Sequence, residues 1–387
     1  MWPRRAVLLC MALLAALYAP TARGGSNPDA SLIERGLEIT RPGASVTETF
    51  DLTGALAALK IPSVSIAIID HAGIVWARAF GAGATASTLF QAASLSKLVT
   101  AVAALRLVQD GRLNLDQDVN AELTEWHVPP SEMTGSSPVT LRGLLSMTAG
   151  IGVPGYLGYA PGAPLPNLTQ TLDGVPPANS PPVRVEAVPG RRYAYSGGGF
   201  EIVQAIIQDA THQPFEVAMQ RLVLRPAGMV DSAFVQPLPA SLVGRAATGH
   251  RSDGSELPGG WRIVPELAAG GLWSTPTDLA RLLIAIAGSY RGKSNALLGE
   301  TLACTMLTRQ NGGPYGLGGA VSGSGRDLVL MKRGQNIGYQ SYMLVFPNAG
   351  QGIVVMTNSD NGTTLTTALV RRAVQVYRWP MLDGLPD

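Results

Sequence analysis

Ser94 and Lys97 are the residues of this chain whose types and spacing first suggest chemistry. They lie in the stretch "FQAASLSKLVTAVAALRLVQDG", which otherwise predicts an apolar helix. Residues three apart on a helix face the same way, so the two side chains can meet. A serine hydroxyl becomes nucleophilic when a neighbouring base takes its proton, and a lysine can be that base if its surroundings lower its pKa. Arginine stays protonated, and this chain has four lysines against twenty-five arginines.

Two later stretches add candidates for proton transfer. "RRYAYSGGGFEIVQAII" places Tyr195 and Ser196 before three glycines and an apolar helix. A tyrosine there can carry a proton if a nearby cation lowers its pKa. "LMKRGQNIGYQSYMLVF" puts Lys332, Arg333 and Gly334 at the end of a predicted strand, just before the next one. Lys332 could be that cation, and Gly334 would let substrate approach the backbone.

Each stretch taken alone also fits a purely structural role. Lys97 could extend its ammonium group from a polar helix start to solvent, and Tyr195 could fill the core at a helix entry. Lys332 could be a solvated lysine on an edge strand.

The surrounding elements predict how these residues are positioned. Two β-type runs, "SVSIAIID" and "IVWARAF", flank a turn at "HAG" near the start of the chain, and three more, "RDLVLM", "YQSYMLVFP" and "QGIVVMTN", lie near its end. Helical patterns cover 94–109, 200–210, 214–223 and 277–287, with long Gly/Pro-rich connections, and a last helix covers 363–377. The pattern predicts an α/β (α+β) fold with a central antiparallel sheet built from both chain ends, flanking helices and a mostly helical inserted domain. We predict the sheet domain at 25–89 with 305–387, and the mostly helical domain at 90–304.

The first residues, "MWPRRAVLLCMALLAALYAPTARGG", have the basic start, short apolar run and small residues of a secretory signal peptide. We predict a signal peptide over 1–24 and export to the periplasm or the medium, with an uncleaved membrane anchor as the alternative. Cleavage would remove Cys10 and leave Cys304 alone, so no intrachain disulfide could form. We expect Cys304 to be a buried small hydrophobic residue.

Composition excludes several function classes. The formal net charge is +2, which gives no reason to expect nucleic-acid binding or, once a signal peptide is gone, stable membrane insertion. The histidines are scattered without metal-ligand spacing, so we predict no metal site and no cofactor. Oligomeric state is not predictable from the sequence. Hydrophobic residues make up 46% of the chain, enough for a sizeable core.

Taken together and in this order, the three stretches match a known motif set: S-x-x-K, then Tyr-Ser-Asn or a variant, then Lys-Thr-Gly or a variant. On these motifs the chain resembles the class C β-lactamase-like, penicillin-binding-protein-like serine hydrolases, which include D-Ala-D-Ala carboxypeptidases and family VIII esterases. The resemblance runs from Asp51 to Tyr377 and includes the segments "VTLRGLLSMTAGI" and "AAGGLWSTPTDLARLL".

The resemblance implies a β-lactamase/transpeptidase-like fold and a role for each motif residue. Ser94 would be the acylated nucleophile and Lys97 its general base. Tyr195 would protonate the leaving group and activate the deacylating water. Lys332 would supply a positive charge beside Tyr195. The backbone N–H groups of Ser94 and Gln335 would form the oxyanion hole. The remaining residues expected to contact substrate are Gly334, Ser196, Gly197, Arg333 and Asn336.

Two departures from the family pattern bear on the substrate. Gly197 stands where the lactamases have an asparagine that holds the side-chain amide of a β-lactam, and Arg333 replaces a small or hydroxyl residue. The sequence therefore favours a small-molecule ester or a peptidoglycan-like amide over a β-lactam. The alternatives are a β-lactamase or D-Ala-D-Ala carboxypeptidase proper, a penicillin-binding receptor with little turnover, and a catalytically inactive recognition module.

Overall fold

A computed structural model describes residues 28–41, 43–135, 137–293 and 297–380. The predicted signal peptide lies outside the described residues. The α-helices are α1 (Pro28–Ile33), α2 (Leu52–Ala58), α3 (Leu95–Gln109), α4 (Leu141–Leu145), α5 (Leu168–Asp173), α6 (Gly198–Thr211), α7 (Phe215–Met219), α8 (Ala240–Val243), α9 (Leu267–Gly270), α10 (Pro276–Tyr290), α11 (Glu300–Met306) and α12 (Gly362–Tyr377). The strands are β1 (Leu37–Thr40), β2 (Thr47–Phe50), β3 (Ser63–Asp70), β4 (Gly73–Gly81), β5 (Phe90–Gln91), β6 (Ala233–Phe234), β7 (Leu272–Ser274), β8 (Ala320–Ser322), β9 (Val329–Asn336), β10 (Tyr339–Phe346) and β11 (Gln351–Thr357).

The largest sheet has six strands in the order β4-β3-β11-β10-β9-β8, and every neighbouring pair is antiparallel. Strands β3 and β4 come from the start of the chain and β8 to β11 from its end, so the prediction of one antiparallel sheet completed by both ends is confirmed. The junction is the pairing of β3 with β11, where Ile68 lies opposite Ile353. Strand β10 is buried along its whole length, as a central strand covered on both faces must be.

Helices cover this sheet and form the region beside it. Helices α10 and α12 pack against β10 and β11, while α3, α6 and α9 pack against one another. Every residue of α3 from Leu95 to Leu105 is buried. A helix that is apolar on all sides is typical of a core position rather than a surface one. The helix that carries Lys97 is therefore a central support of the fold.

The structure corrects several sequence-based expectations about elements. The region predicted to be mostly helical also contains a three-stranded sheet in the order β5-β7-β6, and β1 pairs with β2. These strands have two to four residues, too few to leave a clear alternation in the sequence. The helix predicted at 214–223 ends as α7 at Met219 and continues as a π-helical turn.

Two local expectations about strand position and burial were also wrong. The predicted strand "RDLVLM" begins only at Val329, and β9 runs on to Asn336, so Lys332 lies mid-strand rather than at a strand end. Cys304 is half-buried rather than buried. Among the described residues, no helix is long and apolar enough to cross a membrane.

Candidate active site

Ser94 lies at the residue that precedes α3, on a tight turn out of β5. Ala93, just before it, has a φ of 50°, in the left-handed region that costs a residue with a β-carbon about 1 kcal/mol or more. The side chain of Ser94 is half-buried and caps no backbone N–H of the helix. Its hydroxyl is therefore free to point into the cavity described below.

Lys97 follows one turn later and is 2% exposed. Its Nζ donates to Ser94 Oγ at 3.2 Å and to the carbonyl oxygen of Ala269, in α9, at 2.7 Å. The ammonium also lies 5.2 Å from the centre of the Tyr195 ring. Burial argues against a lysine that extends to solvent, and the spacing prediction that Ser94 and Lys97 meet is confirmed.

Tyr195 lies between two cations. Its hydroxyl accepts a hydrogen bond from Lys332 Nζ at 3.0 Å, and it also lies within hydrogen-bonding reach of Ser94. Burial raises the pKa of Tyr195, but the positive charges of Lys332 and Lys97 outweigh it, and the pKa falls from 10.0 to about 7. A phenol with such a pKa can accept or give up a proton near neutral pH.

Lys332 is 3% exposed and lies in the middle of β9, which rules out a solvated edge-strand lysine. Burial lowers the pKa of Lys332, while the neighbouring Tyr195 oxygen acts in the opposite direction. Its Nζ also donates to the hydroxyl of Tyr315 at 3.0 Å. The sequence gives no indication of this role for Tyr315, because "GGPYGLGG" matches no known motif.

The residues after Lys332 have separate roles. A β-carbon on Gly334 would lie 2.3 Å from Ser341 Oγ and 2.4 Å from the carbonyl oxygen of Ala92. Gly334 is therefore required because β9 packs against the segment just before Ser94, which is a different reason from the predicted approach of substrate. Gln335 is exposed and lines the cavity.

Arg333 and Asn336 also line the cavity. The Arg333 guanidinium carbon lies 4.2 Å from the centre of the Tyr342 ring, and Nη1 donates to Thr367 Oγ1 at 3.2 Å. Asn336 Nδ2 donates to Gln91 Oε1 at 2.7 Å, which ties β9 to β5.

Ser196 does not face the cavity, and its expected contact with substrate was wrong. It is buried, its hydroxyl donates to the carbonyl oxygen of Gly152 at 2.7 Å, and it accepts the N–H of Gly199 at 2.8 Å. Its backbone N–H donates to the sulfur of Met147 at 3.3 Å. Ser196 therefore holds the first turn of α6 and, with it, the neighbouring Tyr195.

Gly197 is closely surrounded by the segment 154–156. A β-carbon there would lie 3.2 Å from both Tyr156 Cε2 and the carbonyl oxygen of Pro154, and 3.3 Å from Gly155 Cα. The segment 154–156 also lines the cavity. The space into which a side chain at position 197 would project is filled by this segment.

These residues surround one cavity of about 820 Å³. Its lining includes Ser94, Lys97, Tyr195, Lys332 and Gln335. A volume of this size accommodates a small molecule. In the described part of the chain, no group of three or more His, Cys, Asp or Glu residues could hold a metal ion. The polar groups present can support acyl transfer to a serine hydroxyl.

A family model described as Beta-lactamase matches residues 51–377. The chain belongs to the beta-lactamase family. This confirms the resemblance inferred from the three motifs. Esterase EstB of Burkholderia gladioli is 34% identical over 188 residues, which is 44% of this chain and 46% of EstB. Protein flp of Staphylococcus aureus strain N315 is 25% identical over 331 residues, which is 77% of this chain and 60% of flp.

This member of the beta-lactamase family thus aligns with about half of one curated relative and three fifths of the other. Among solved structures, the octameric penicillin-binding protein homologue from Pyrococcus abyssi superposes with a TM-score of 0.68 at 24% identity, over 85% of this chain and 76% of that one. At that identity the superposition shows a shared fold, the β-lactamase/transpeptidase-like fold expected from the motifs.

Proposed function

We propose that the protein is an exported serine acyl hydrolase that hydrolyses an ester or an amide through an acyl-enzyme on Ser94. The observation that carries this proposal is the meeting of Ser94 Oγ with Lys97 Nζ at 3.2 Å beside a tyrosine whose pKa is about 7. The proposal needs a nucleophile, a base and a proton carrier in one cavity, and these three groups can fill those roles.

In the first half of the proposed reaction, Lys97 acts as the neutral amine and takes the proton of Ser94 while Ser94 Oγ attacks the substrate carbonyl carbon. The carbonyl oxygen becomes an oxyanion, which the N–H groups of Ser94 and Gln335 receive. The tetrahedral intermediate collapses, the bond to the leaving group breaks, and Tyr195 delivers a proton to that group. The acyl group remains on Ser94.

In the second half, Tyr195 as phenolate removes a proton from water, and the water oxygen attacks the acyl carbon. The ester bond to Ser94 breaks, the acid leaves, and Lys97 returns the proton to Ser94, which restores the neutral amine. Lys332 stabilises the phenolate through the 3.0 Å contact between its Nζ and the Tyr195 hydroxyl. Tyr315, which receives a second hydrogen bond from Lys332, helps to hold this cation in place.

The shape of the cavity supports an ester or a simple amide over a β-lactam. Gly197 lacks the amide that would hold a β-lactam side chain, and a β-carbon there would press on Tyr156 and Pro154 at 3.2 Å. The name of the relative EstB describes an esterase, which agrees with this choice. The buried cation Lys332 keeps a D-Ala-D-Ala carboxypeptidase as the second candidate, since a substrate carboxylate would be attracted to it.

The test compares four compounds with the purified protein: a short p-nitrophenyl ester, nitrocefin, a D-Ala-D-Ala peptide and a fluorescent penicillin. We expect continuous release of p-nitrophenol, loss of that release in Ser94→Ala, and retention in Ser87→Ala, an exposed serine ahead of the same helix. A single stoichiometric burst with penicillin and no turnover would instead show a receptor. Unchanged turnover in Lys97→Arg would disprove the role of Lys97 as base.

Export is tested separately, by expression of the full chain in a bacterial host and sequencing of the N-terminus of the protein recovered from each fraction. We expect cleavage at or near Gly24, the predicted end of the signal peptide. Recovery of the uncleaved chain in the cytoplasm would overturn this part of the proposal.

A further inference from the structure

Glu201 is a buried acid behind the site that no motif includes. It lies in the first turn of α6 and is 1% exposed. Its Oε1 accepts the backbone N–H of Ala269 at 3.0 Å. The carbonyl oxygen of the same residue, Ala269, accepts Lys97 Nζ at 2.7 Å. One residue of α9 is thus held by Glu201 on one side and holds Lys97 on the other.

The neighbouring residue of α9 is held in the same way. Gln204, one turn after Glu201 on α6, accepts the N–H of Ala268 at 3.0 Å, and the carbonyl of Ala268 accepts the hydroxyl of Thr100 at 3.3 Å. Side chains of α6 therefore fix the N–H groups of α9, and side chains of α3 bind its carbonyl groups. Only the arrangement through Ala269 includes Lys97, whereas the one through Ala268 includes Thr100.

The Lys97 ammonium depends on this backbone for its orientation. Within the described residues, Lys97 Nζ donates hydrogen bonds to Ser94 Oγ and to the carbonyl of Ala269, and Gly197 has no side chain that could accept another. A displacement of Ala269 by a few tenths of an ångström would thus move the ammonium relative to Ser94. Misplacement on this scale is enough to slow a proton transfer.

The surroundings of Glu201 favour its neutral form. Burial raises the pKa of Glu201 well above its ordinary value, and repulsion from Glu266 raises it further. Burial likewise raises the pKa of Glu266 to about 7. Within the described residues, neither carboxyl group forms an ion pair. A neutral carboxyl group has the shape and hydrogen-bonding capacity of a glutamine side chain, which makes glutamine a close replacement.

We infer that Glu201 is a positioning residue for acyl transfer: by accepting the N–H of Ala269 it holds the carbonyl that orients Lys97 towards Ser94. This inference rests on the proposed function, because it assigns Glu201 a role in activating the same serine. Glu201 acts through Ala269 and lies outside the residues that line the cavity.

The test compares Glu201→Leu, Glu201→Gln and Gln204→Leu by kcat, KM and the rate at which a fluorophosphonate probe labels Ser94. We expect Glu201→Leu to lower kcat and the labelling rate about tenfold or more, with KM within about twofold. We expect Glu201→Gln to keep kcat and the labelling rate near those of the wild-type protein, because its amide oxygen still accepts the N–H of Ala269. Gln204→Leu is the matched control: it removes an equivalent acceptor on the same helix, and we expect a similar fall in Tm without the loss in kcat.

Equal rates in Glu201→Leu and Gln204→Leu would overturn the inference, as would a loss in Glu201→Gln as large as in Glu201→Leu. Glu201→Met, which also lacks an acceptor of this strength, takes the place of Glu201→Leu if the latter does not fold. The wild-type protein separates the two proposals. If it neither turns over esters nor reacts with the probe at Ser94, the proposed function fails; if it does both and the Glu201 variants match it, only the positioning role fails.

Discussion

Replacement of Lys332 by methionine should raise the pKa of Tyr195 and move the pH dependence of the proposed hydrolysis with it. Methionine keeps most of the length of the side chain and removes the charge. Lys332 is the larger of the two cationic influences that bring the pKa of Tyr195 down to about 7. Lys97 remains in the variant, with its Nζ 5.2 Å from the centre of the Tyr195 ring.

The size of the effect follows from the distance. For the 3.0 Å between Lys332 Nζ and the Tyr195 oxygen, Coulomb's law at an effective dielectric constant of about 20 gives about 5 kcal/mol, or about 4 pKa units. The ring of Tyr195 is only partly buried, so solvent screens part of this energy. We therefore expect a rise of about 2 units or more, which lowers the phenolate fraction at pH 7 about fiftyfold.

The direct assay is a pH titration of tyrosinate absorbance. The wild-type protein should show one tyrosine that titrates near pH 7, and this step should move to above about pH 9 in Lys332→Met. Turnover of a short p-nitrophenyl ester should show the same displacement, because p-nitrophenolate leaves without a proton from Tyr195 and the proposed deacylation needs Tyr195 as phenolate: activity is retained above the pKa of Tyr195 and lost as the pH falls through it. Tyr195→Phe serves as the control and should lack the step near pH 7 altogether.

Two results would refute this reasoning. A step near pH 7 that persists unchanged in Lys332→Met would show that Lys332 does not set the pKa. Its presence in Tyr195→Phe would show that another group titrates there.

Three further substitutions separate the site from its scaffold. Gly197→Asn should not create nitrocefin hydrolysis and should lower stability by about 1 kcal/mol, because its β-carbon meets Tyr156 at 3.2 Å; a gain of nitrocefin turnover would contradict this. Gly334→Ala should lower the free energy of unfolding by about 2 kcal/mol or more and also reduce turnover, because its β-carbon would lie 2.4 Å from the Ala92 carbonyl oxygen. Thermal unfolding and ester hydrolysis at one temperature measure the two effects, and a wild-type Tm would contradict the prediction. Asp278→Ala removes the acceptor of the Asp231 N–H and should lower the free energy of unfolding by about 2–3 kcal/mol, measured with denaturant. We expect kcat and KM to be unchanged in the folded protein. Altered kinetics would show that this distant carboxylate affects the site.

The parts of the site that local geometry decides could be predicted from the sequence. Ser94 and Lys97 are one helical turn apart, so their meeting follows from the period of an α-helix. The contact between Tyr195 and Lys332 joins residues 137 positions apart, and only the order of the three motifs pointed to it. The β-type runs beside turn residues likewise predicted the long strands from both ends of the chain.

The rest depends on tertiary packing that leaves no local pattern. The partner of Lys97 is the backbone carbonyl of Ala269, which any residue type could supply. Tyr315 and Glu201 matter because they are buried beside the residues of the site, and burial in the folded protein cannot be read from a short motif. A serine after Tyr195 resembles a substrate contact in the sequence, whereas the structure shows its hydroxyl accepting the N–H of Gly199 in the first turn of α6.

The junction of β3 with β11 makes the order of synthesis matter. There the N–H of Ser63 donates to the side-chain oxygen of Asn358, 295 residues further on. Until β11 emerges and pairs with β3 and β10, strands β8 to β10 are not joined to β3 and β4 in one sheet. A growing chain thus carries Ser94 early but completes the six-stranded sheet only near the end of translation, when β11 and the cavity-lining threonines of α12 have been made. Loss of the chain from β11 onwards would therefore abolish the proposed activity. Contacts this distant in sequence also make folding slow.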